Sequence, residues 1–177
     1  MIVKKAAGAL GAYVSDVKLA DFAQDSELFA ALRAAAVEHE VLFLRDQDVS
    51  PQIFQQFARC FGPVLGHAAY PTLADAADVQ ILESTAEKPS KIEVWHSDMT
   101  FSVEPPSFTL LHGQIIPEFG GDTLWASATA ALQALSAPMR EFVAGLTAVH
   151  DFRHGFQESL AEPGGAERLA GSIAANP

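Results

Sequence analysis

Apolar positions along this chain recur in two rhythms, one helical and one extended. After Asp25, residues Leu28, Phe29, Leu32, Ala35 and Ala36 fall at helical spacing and predict one apolar face running to about His39. Asp25 is a suitable N-cap for it. A second helix follows Ser50-Pro51, an N-cap with proline at the first helical position. Ile53, Phe54, Phe57, Ala58 and Phe61 share its face, and Gly62-Pro63 stops it. Between the two helices, Val41-Leu42-Phe43-Leu44 is a short apolar run that predicts a buried strand. Residues 2–19 predict short strands around Gly8 and Gly11. Further strands are predicted at 79–83, 93–98, 108–116 and 123–126, with extended chain over 146–152. Ser127 and Ser136 each predict the cap of a short helix, the second with Pro138 in its first turn and Gly145 at its end. Beyond Gln157 the chain turns polar and small, with a weak helical patch at 167–173. There is no internal repeat.

Composition narrows the class. The 177 residues suit one domain, and with 49% hydrophobic and 19% charged residues the chain can build a core. A formal net charge of -11 argues against non-specific nucleic-acid binding, which needs clustered Lys and Arg. An anionic substrate would then need a local positive group, because the overall field repels it. The single cysteine, Cys60, excludes an intrachain disulfide and a multi-cysteine zinc site; on its predicted helix it reads as a small core residue. Residues 6–14 lack the composition and cleavage site of a signal peptide, and no stretch is long and apolar enough to span a membrane. A cytoplasmic protein is the expectation.

The chemistry concentrates in Trp95-His96-Ser97-Asp98-Met99-Thr100-Phe101, followed by Gly120-Gly121-Asp122-Thr123-Leu124-Trp125. On an extended segment, His96 and Asp98 would project to the same side. Two such ligands can occupy adjacent corners of an octahedral ion, as two members of a facial triad of two histidines and one carboxylate. The bare His-x-Asp pattern is common, and His96 taken alone reads as a hydrogen-bonded structural histidine.

The surrounding words change that weighting. Trp-His-Ser-Asp-Met-Thr-Phe, then Pro105-Pro106, then Gly-Gly-Asp-Thr-Leu-Trp, resembles the taurine dioxygenase (TauD/TfdA-like) family of Fe(II)- and 2-oxoglutarate-dependent oxygenases. Val41-Leu42-Phe43-Leu44-Arg45-Asp46-Gln47, Phe61-Gly62 with His67 and Tyr70-Pro71, Ala134-Leu135-Ser136 and His150-Asp151-Phe152-Arg153 match in the same order. The resemblance spans most of residues 5–156.

It implies a single α+β domain over 1–177 with a mainly β core. The implied fold is a double-stranded β-helix (jelly roll) with flanking helices, truncated at the carboxyl end to roughly the first three fifths of a family member. It implies that His96 and Asp98 bind Fe(II) and that the Thr123 hydroxyl holds a carboxylate of the co-substrate 2-oxoglutarate. It places His67, Tyr70 and Phe156 in the substrate pocket. The plainer alternatives are an ordinary strand threonine for Thr123, and surface-loop or core residues for the other three. The expected reaction hydroxylates a small anionic substrate, a taurine-like sulfonate or a sulfate ester, at the expense of O2 and 2-oxoglutarate. A homo-oligomer is compatible with this.

Two departures bear on the substrate. Ile92 and Gly155 stand where the taurine enzymes have Asn and Ser. An apolar Ile92 cannot satisfy taurine's ammonium group, which favours a more apolar sulfonate, an alkyl sulfate or a carboxylate. The family's distal metal His and the Arg partner of 2-oxoglutarate are not in this chain, and His150 or His154 would be the substitutes nearest the motif. The rival reading is a non-catalytic remnant, or an interaction or structural fragment of such an enzyme.

Overall fold

The computed structural model describes residues 1–66, 70–87, 89, 92 and 94–176. The chain forms two compact units, one of Met1–Cys60 and Leu111–Thr147, the other of Phe61–Leu110 and Ala148–Pro177.

The first unit is built on a three-stranded sheet. β1 (Ile2–Lys5) pairs antiparallel with β2 (Ala12–Ser15), in the register Ile2 to Ser15 and Lys5 to Ala12. Gly11 makes the turn into β2 at φ +91°, and a Cβ there would stand 3.3 Å from the Phe43 ring, so both backbone and space require glycine. Ala12 and Val14 are buried while Tyr13 and Ser15 face out, the period-two alternation of a half-covered strand. β2 then pairs in parallel with β3 (Leu42–Leu44). That parallel pairing needs a long crossover, supplied by α1 (Leu19–Phe22) and α2 (Ser26–His39). Asp25 caps α2 by accepting from the Glu27 and Leu28 amides at 3.0 and 2.9 Å. Glu40, at φ +63°, reverses the chain into β3.

The apolar faces predicted from the helical spacing are the ones that pack. Leu32 and Ala35 of α2 are buried. α3 (Pro51–Cys60) sets Phe57 against Phe22 of α1, with ring centroids 5.4 Å apart. Gln47 ties the chain around them: its Oε1 accepts from the Leu19 amide at 3.0 Å and its Nε2 donates to the Val17 carbonyl at 3.2 Å. Cys60 is half-buried, and its thiol donates to the Gln56 carbonyl. α4 (Ala128–Ala134) and α5 (Ala137–Ala144) begin at Ser127 and Ser136, whose hydroxyls accept from the Ala130 and Met139 amides.

Among its described residues the second unit holds a short hairpin, β4 (Thr72–Leu73) with β5 (Ala76–Gln80), and four short helices: α6 (Phe152–Gly155), α7 (Gln157–Ala161), α8 (Gly165–Arg168) and α9 (Ala170–Ala175). Phe152 is 1% and Leu169 0% exposed. The segment after Gln157 is therefore packed helix and not a loose tail; Asp151 starts it by accepting from the Arg153 amide at 2.8 Å.

Several predicted strands are different in the structure. The one expected at 79–83 runs Ala76–Gln80. The described residues of 93–98 and the segments 108–116 and 123–126 form no ladder, and Leu111, Ile115, Ile116 and Leu124 are exposed. Apolar runs mark chain that can be buried, but a strand also needs a neighbour to pair its N–H and C=O groups. None is present for these segments among the described residues, which form mixed helices and two small sheets in place of the expected mainly β core.

Candidate metal and substrate site

His96 and Asp98 come together, though not on a strand as expected. Residues 95–97 are irregular and Asp98 opens a turn, with Met99 at φ +50°. His96 Nε2 lies 3.2 Å from Asp98 Oδ1, both side chains about half-exposed at 49% and 46%. The remaining polar atoms of both groups have partners. His96 Nδ1 donates to the Val94 carbonyl at 2.8 Å, and Thr109 Oγ1 donates to Asp98 Oδ2 at 2.7 Å.

These contacts assign the atoms. A carbonyl can only accept, so Nδ1 carries a hydrogen and Nε2 is the nitrogen turned toward Asp98. Two acceptors at this distance need a cation between them, either a proton on Nε2 or a metal ion. Neighbouring ligands of an octahedral ion, at metal–ligand distances of about 2.1 Å, are separated by roughly 3.0 Å. The observed spacing fits. A backbone carbonyl on the far nitrogen and a hydroxyl on the far carboxylate oxygen are also the partners that orient metal ligands. Fe(II) is thus compatible with two donors here. Among the described residues no group of three His, Cys, Asp or Glu side chains assembles, so neither His150 nor His154 completes a third position; His154 Nδ1 faces Gln157 Nε2 at 3.2 Å.

Tyr70 belongs to the same unit and is half-buried. Burial, and then the Asp98 carboxylate nearby, push its phenol above the ordinary 10.0. It stays protonated and can donate to an oxyanion. Phe156 stacks on Phe152 at 4.5 Å and 14°, and Phe101 meets both edge-on at 6.2 and 5.0 Å. These three rings form a wall beside the turn that carries Asp98. His67 lies outside the described residues. Ile92 is exposed.

Thr123 belongs to the first unit. It follows the turn at Gly120 and Gly121, whose φ values of +80° and +68° place both in glycine's left-handed region. Its neighbour Trp125 packs edge-on against Phe43 at 5.4 Å, and Ser127 donates to Glu40 at 2.9 Å, so the segment is fastened at its far end.

Sequence reasoning missed Thr109, Val94 and the Phe101–Phe152 contact. Thr109 comes after the turn and bends of residues 98–104 and the irregular Pro105-Pro106, and its hydroxyl reaches back to Asp98. A polar residue inside an otherwise apolar run was the available signal.

The family described as "Taurine catabolism dioxygenase TauD, TfdA family" matches residues 3–172. An alkylsulfatase of Acinetobacter baylyi is 35% identical, over 94% of this chain and 53% of its own length. An alpha-ketoglutarate-dependent sulfate ester dioxygenase of Pseudomonas putida is 34% identical, over 84% of this chain and 48% of its own. The crystal structure of a taurine dioxygenase from Burkholderia xenovorans superposes with a TM-score of 0.73 at 34% identity, covering 85% of this chain and 53% of that one. The chain belongs to the TauD/TfdA family. It spans about half the length of the curated relatives it matches.

Proposed function

We propose that this chain supplies part of the centre of an Fe(II)- and 2-oxoglutarate-dependent dioxygenase acting on a small anionic substrate, a sulfonate or sulfate ester. The observation that carries the reading is the His96–Asp98 pair, with its two outer partners already engaged. The sulfate ester preference rests on exposed Ile92 in place of a polar residue, and on the names of the two relatives above. When bound, iron and 2-oxoglutarate supply O2-dependent hydroxylation of a substrate carbon, 2-oxoglutarate leaving as succinate and CO2.

The residues of this chain have separable roles. His96 offers Nε2, its ring oriented by the bond from Nδ1 to the Val94 carbonyl. Asp98 offers Oδ1 while Thr109 occupies Oδ2. Tyr70, kept protonated, donates to the anionic head, with His67 its partner by family position. Thr123 donates its hydroxyl to a carboxylate of 2-oxoglutarate. Phe101, Phe152 and Phe156 limit water at the substrate side. The same reading takes 1–177 as one oxygenase domain contributing to a jelly roll, in a cytoplasmic protein.

The test is anaerobic titration with Co(II), followed by visible absorption. Loss of the signal in His96→Ala and Asp98→Ala supports the reading; identical titrations in both variants and the parent would remove it. A second reading, a non-catalytic fragment, is favoured by the lack of a third donor among the described residues. Substrate-dependent succinate formation once the remaining half of a family relative is joined to this chain separates the two.

A further inference from the structure

α2 carries two apolar stripes on opposite sides, and the chain itself uses one of them. Leu32 and Ala35 are buried in the first unit. Ala30, Ala34 and Val37 lie half a turn round the helix from them and are exposed, Val37 at 70%. Phe29, Ala30, Arg33, Ala34, Val37 and Glu38 line one shallow hollow on that outer side, so they form a continuous surface. Arg33 has no carboxylate partner among the described residues. Glu38 makes a long contact, 3.9 Å, with its neighbour His39, and its side chain is 73% exposed. Core packing explains Leu32 and Ala35. It does not explain a second apolar stripe, facing water, with an unmatched cation on one flank and a carboxylate on the other.

We infer that this face is a contact between two copies of the chain, their α2 helices side by side, parallel, and related by a two-fold axis. The charges choose both the partner and the direction. Written as a heptad, Ala30, Ala34 and Val37 fall at the d, a and d positions of a seam, with Arg33 at g and Glu38 at e. In a parallel pair the g flank of one helix lies against the e flank of the other. Arg33 then meets Glu38 of the second copy, and symmetry makes the same bridge twice. An antiparallel pair sets like flanks together and gives neither bridge. The chain carries a formal net charge of -11, so two copies repel at long range, and a contact needs local charges of both signs. Alanine at two seam positions lets the helix axes approach closely. Glu27 would face its own copy at the entrance of α2, so the helices splay there and the contact centres on Ala34. Such a seam is small, and the dimer it makes is weak and concentration-dependent. The pairing is independent of iron, substrate and the proposed function.

Sedimentation equilibrium of the 177-residue chain should show monomer passing to dimer as concentration rises. Arg33→Glu, or Glu38→Arg, sets like charges together twice and should weaken the dimer about tenfold or more. An equal mixture of those two variants should associate as the parent does, because each supplies the charge the other needs. The double variant, with both charges exchanged, should do the same. Recovery on mixing also shows that each variant is folded. Direction is read from disulfides in a Cys60→Ser background. Under mild oxidation, Ala30→Cys and Val37→Cys should each link to their own kind, and a mixture of the two should give little of the mixed disulfide. Ala144→Cys, exposed at the end of α5, is the control and should stay unlinked. A chain that remains monomeric up to its solubility limit would overturn the pairing. So would single charge variants that dimerise like the parent, which would put the contact on another face, or a mixture dominated by disulfides between the two different cysteine variants.

Discussion

Ser127 donates to Glu40 across 87 positions of sequence, at 2.9 Å, and the same hydroxyl accepts from the Ala130 amide at 2.9 Å. One half-turn of chain, the exit of α2, is thereby fastened to another, the entrance of α4. Ser127 is 7% exposed, so the hydroxyl has protein and not solvent as its partner. Ser127→Ala removes both bonds and should cost about 1–2 kcal/mol, measured as a shift in the urea midpoint. Ser127→Thr should restore most of it. A double-mutant cycle with Glu40→Ala should show coupling of about 1 kcal/mol; additive losses would mean that the contact is not made in solution.

Thr109 separates metal affinity from stability. Thr109→Val deletes the hydroxyl that occupies Asp98 Oδ2 while keeping shape. Because Thr109 is exposed, the urea midpoint should stay within about 0.5 kcal/mol of the parent. Co(II) or Mn(II) affinity should fall by about tenfold or more, the usual effect of losing a partner that orients a ligand. Equal affinity would mean that Asp98 needs no orientation.

The chain on its own should bind divalent metal weakly, with a dissociation constant above the micromolar range, and release no measurable succinate from 2-oxoglutarate. Two donors leave most of the coordination sphere to water. Anaerobic calorimetry with Mn(II) and a succinate assay check this. Micromolar binding with turnover would point to a third ligand, and substitution of His67, His150 and His154 in turn would find it.

Tyr70 gives a pH signature. Its phenol is raised above 10.0 by burial and by Asp98. Between 10.0 and the higher folded value, the folded protein keeps a proton that the unfolded chain has lost. The unfolded state then binds fewer protons, the slope of unfolding free energy against pH is negative, and stability declines as pH rises through this window. Tyr70→Phe should remove that part of the decline, read from urea midpoints at pH 9 and 11. It should also remove the late component of the phenolate absorbance titration. An unchanged pH slope would place Tyr70 in open solvent.

Local signals carried much of the first unit. Asp25, Ser50, Ser127 and Ser136 start helices within a residue of where capping chemistry puts them, and the apolar stripe through Leu32 and Phe57 is the buried face. Such signals need only three or four neighbouring residues. Strands do not work that way. Leu111 and Leu124 lie in apolar runs as strand-like as Leu42, yet among the described residues only the run at Leu42 has a partner, Ala12. Pairing is a property of two distant segments, and periodicity reports on one. The helices after Asp151 are hard to read for a related reason: Phe152 in α6 and Leu169 between α8 and α9 are single anchors in a small, polar context, and isolated buried residues make no stripe. At the site, the motif marked His96 and Asp98 but offered the wrong local geometry. A turn brings them together, and the Val94 carbonyl that sets the histidine tautomer is a backbone atom with no signature in side-chain identity.

Met99 occupies a left-handed backbone conformation, at φ +50°, that an unbranched non-glycine residue adopts at some cost. That joint reverses the chain directly after Asp98, whose carboxylate faces His96 with one oxygen and Thr109 with the other. Glycine at position 99 would relieve the backbone cost and, at the same time, free the chain to leave this conformation. The methionine thus gives up some local stability for a stiff joint, and the spacing of the pair depends on that stiffness.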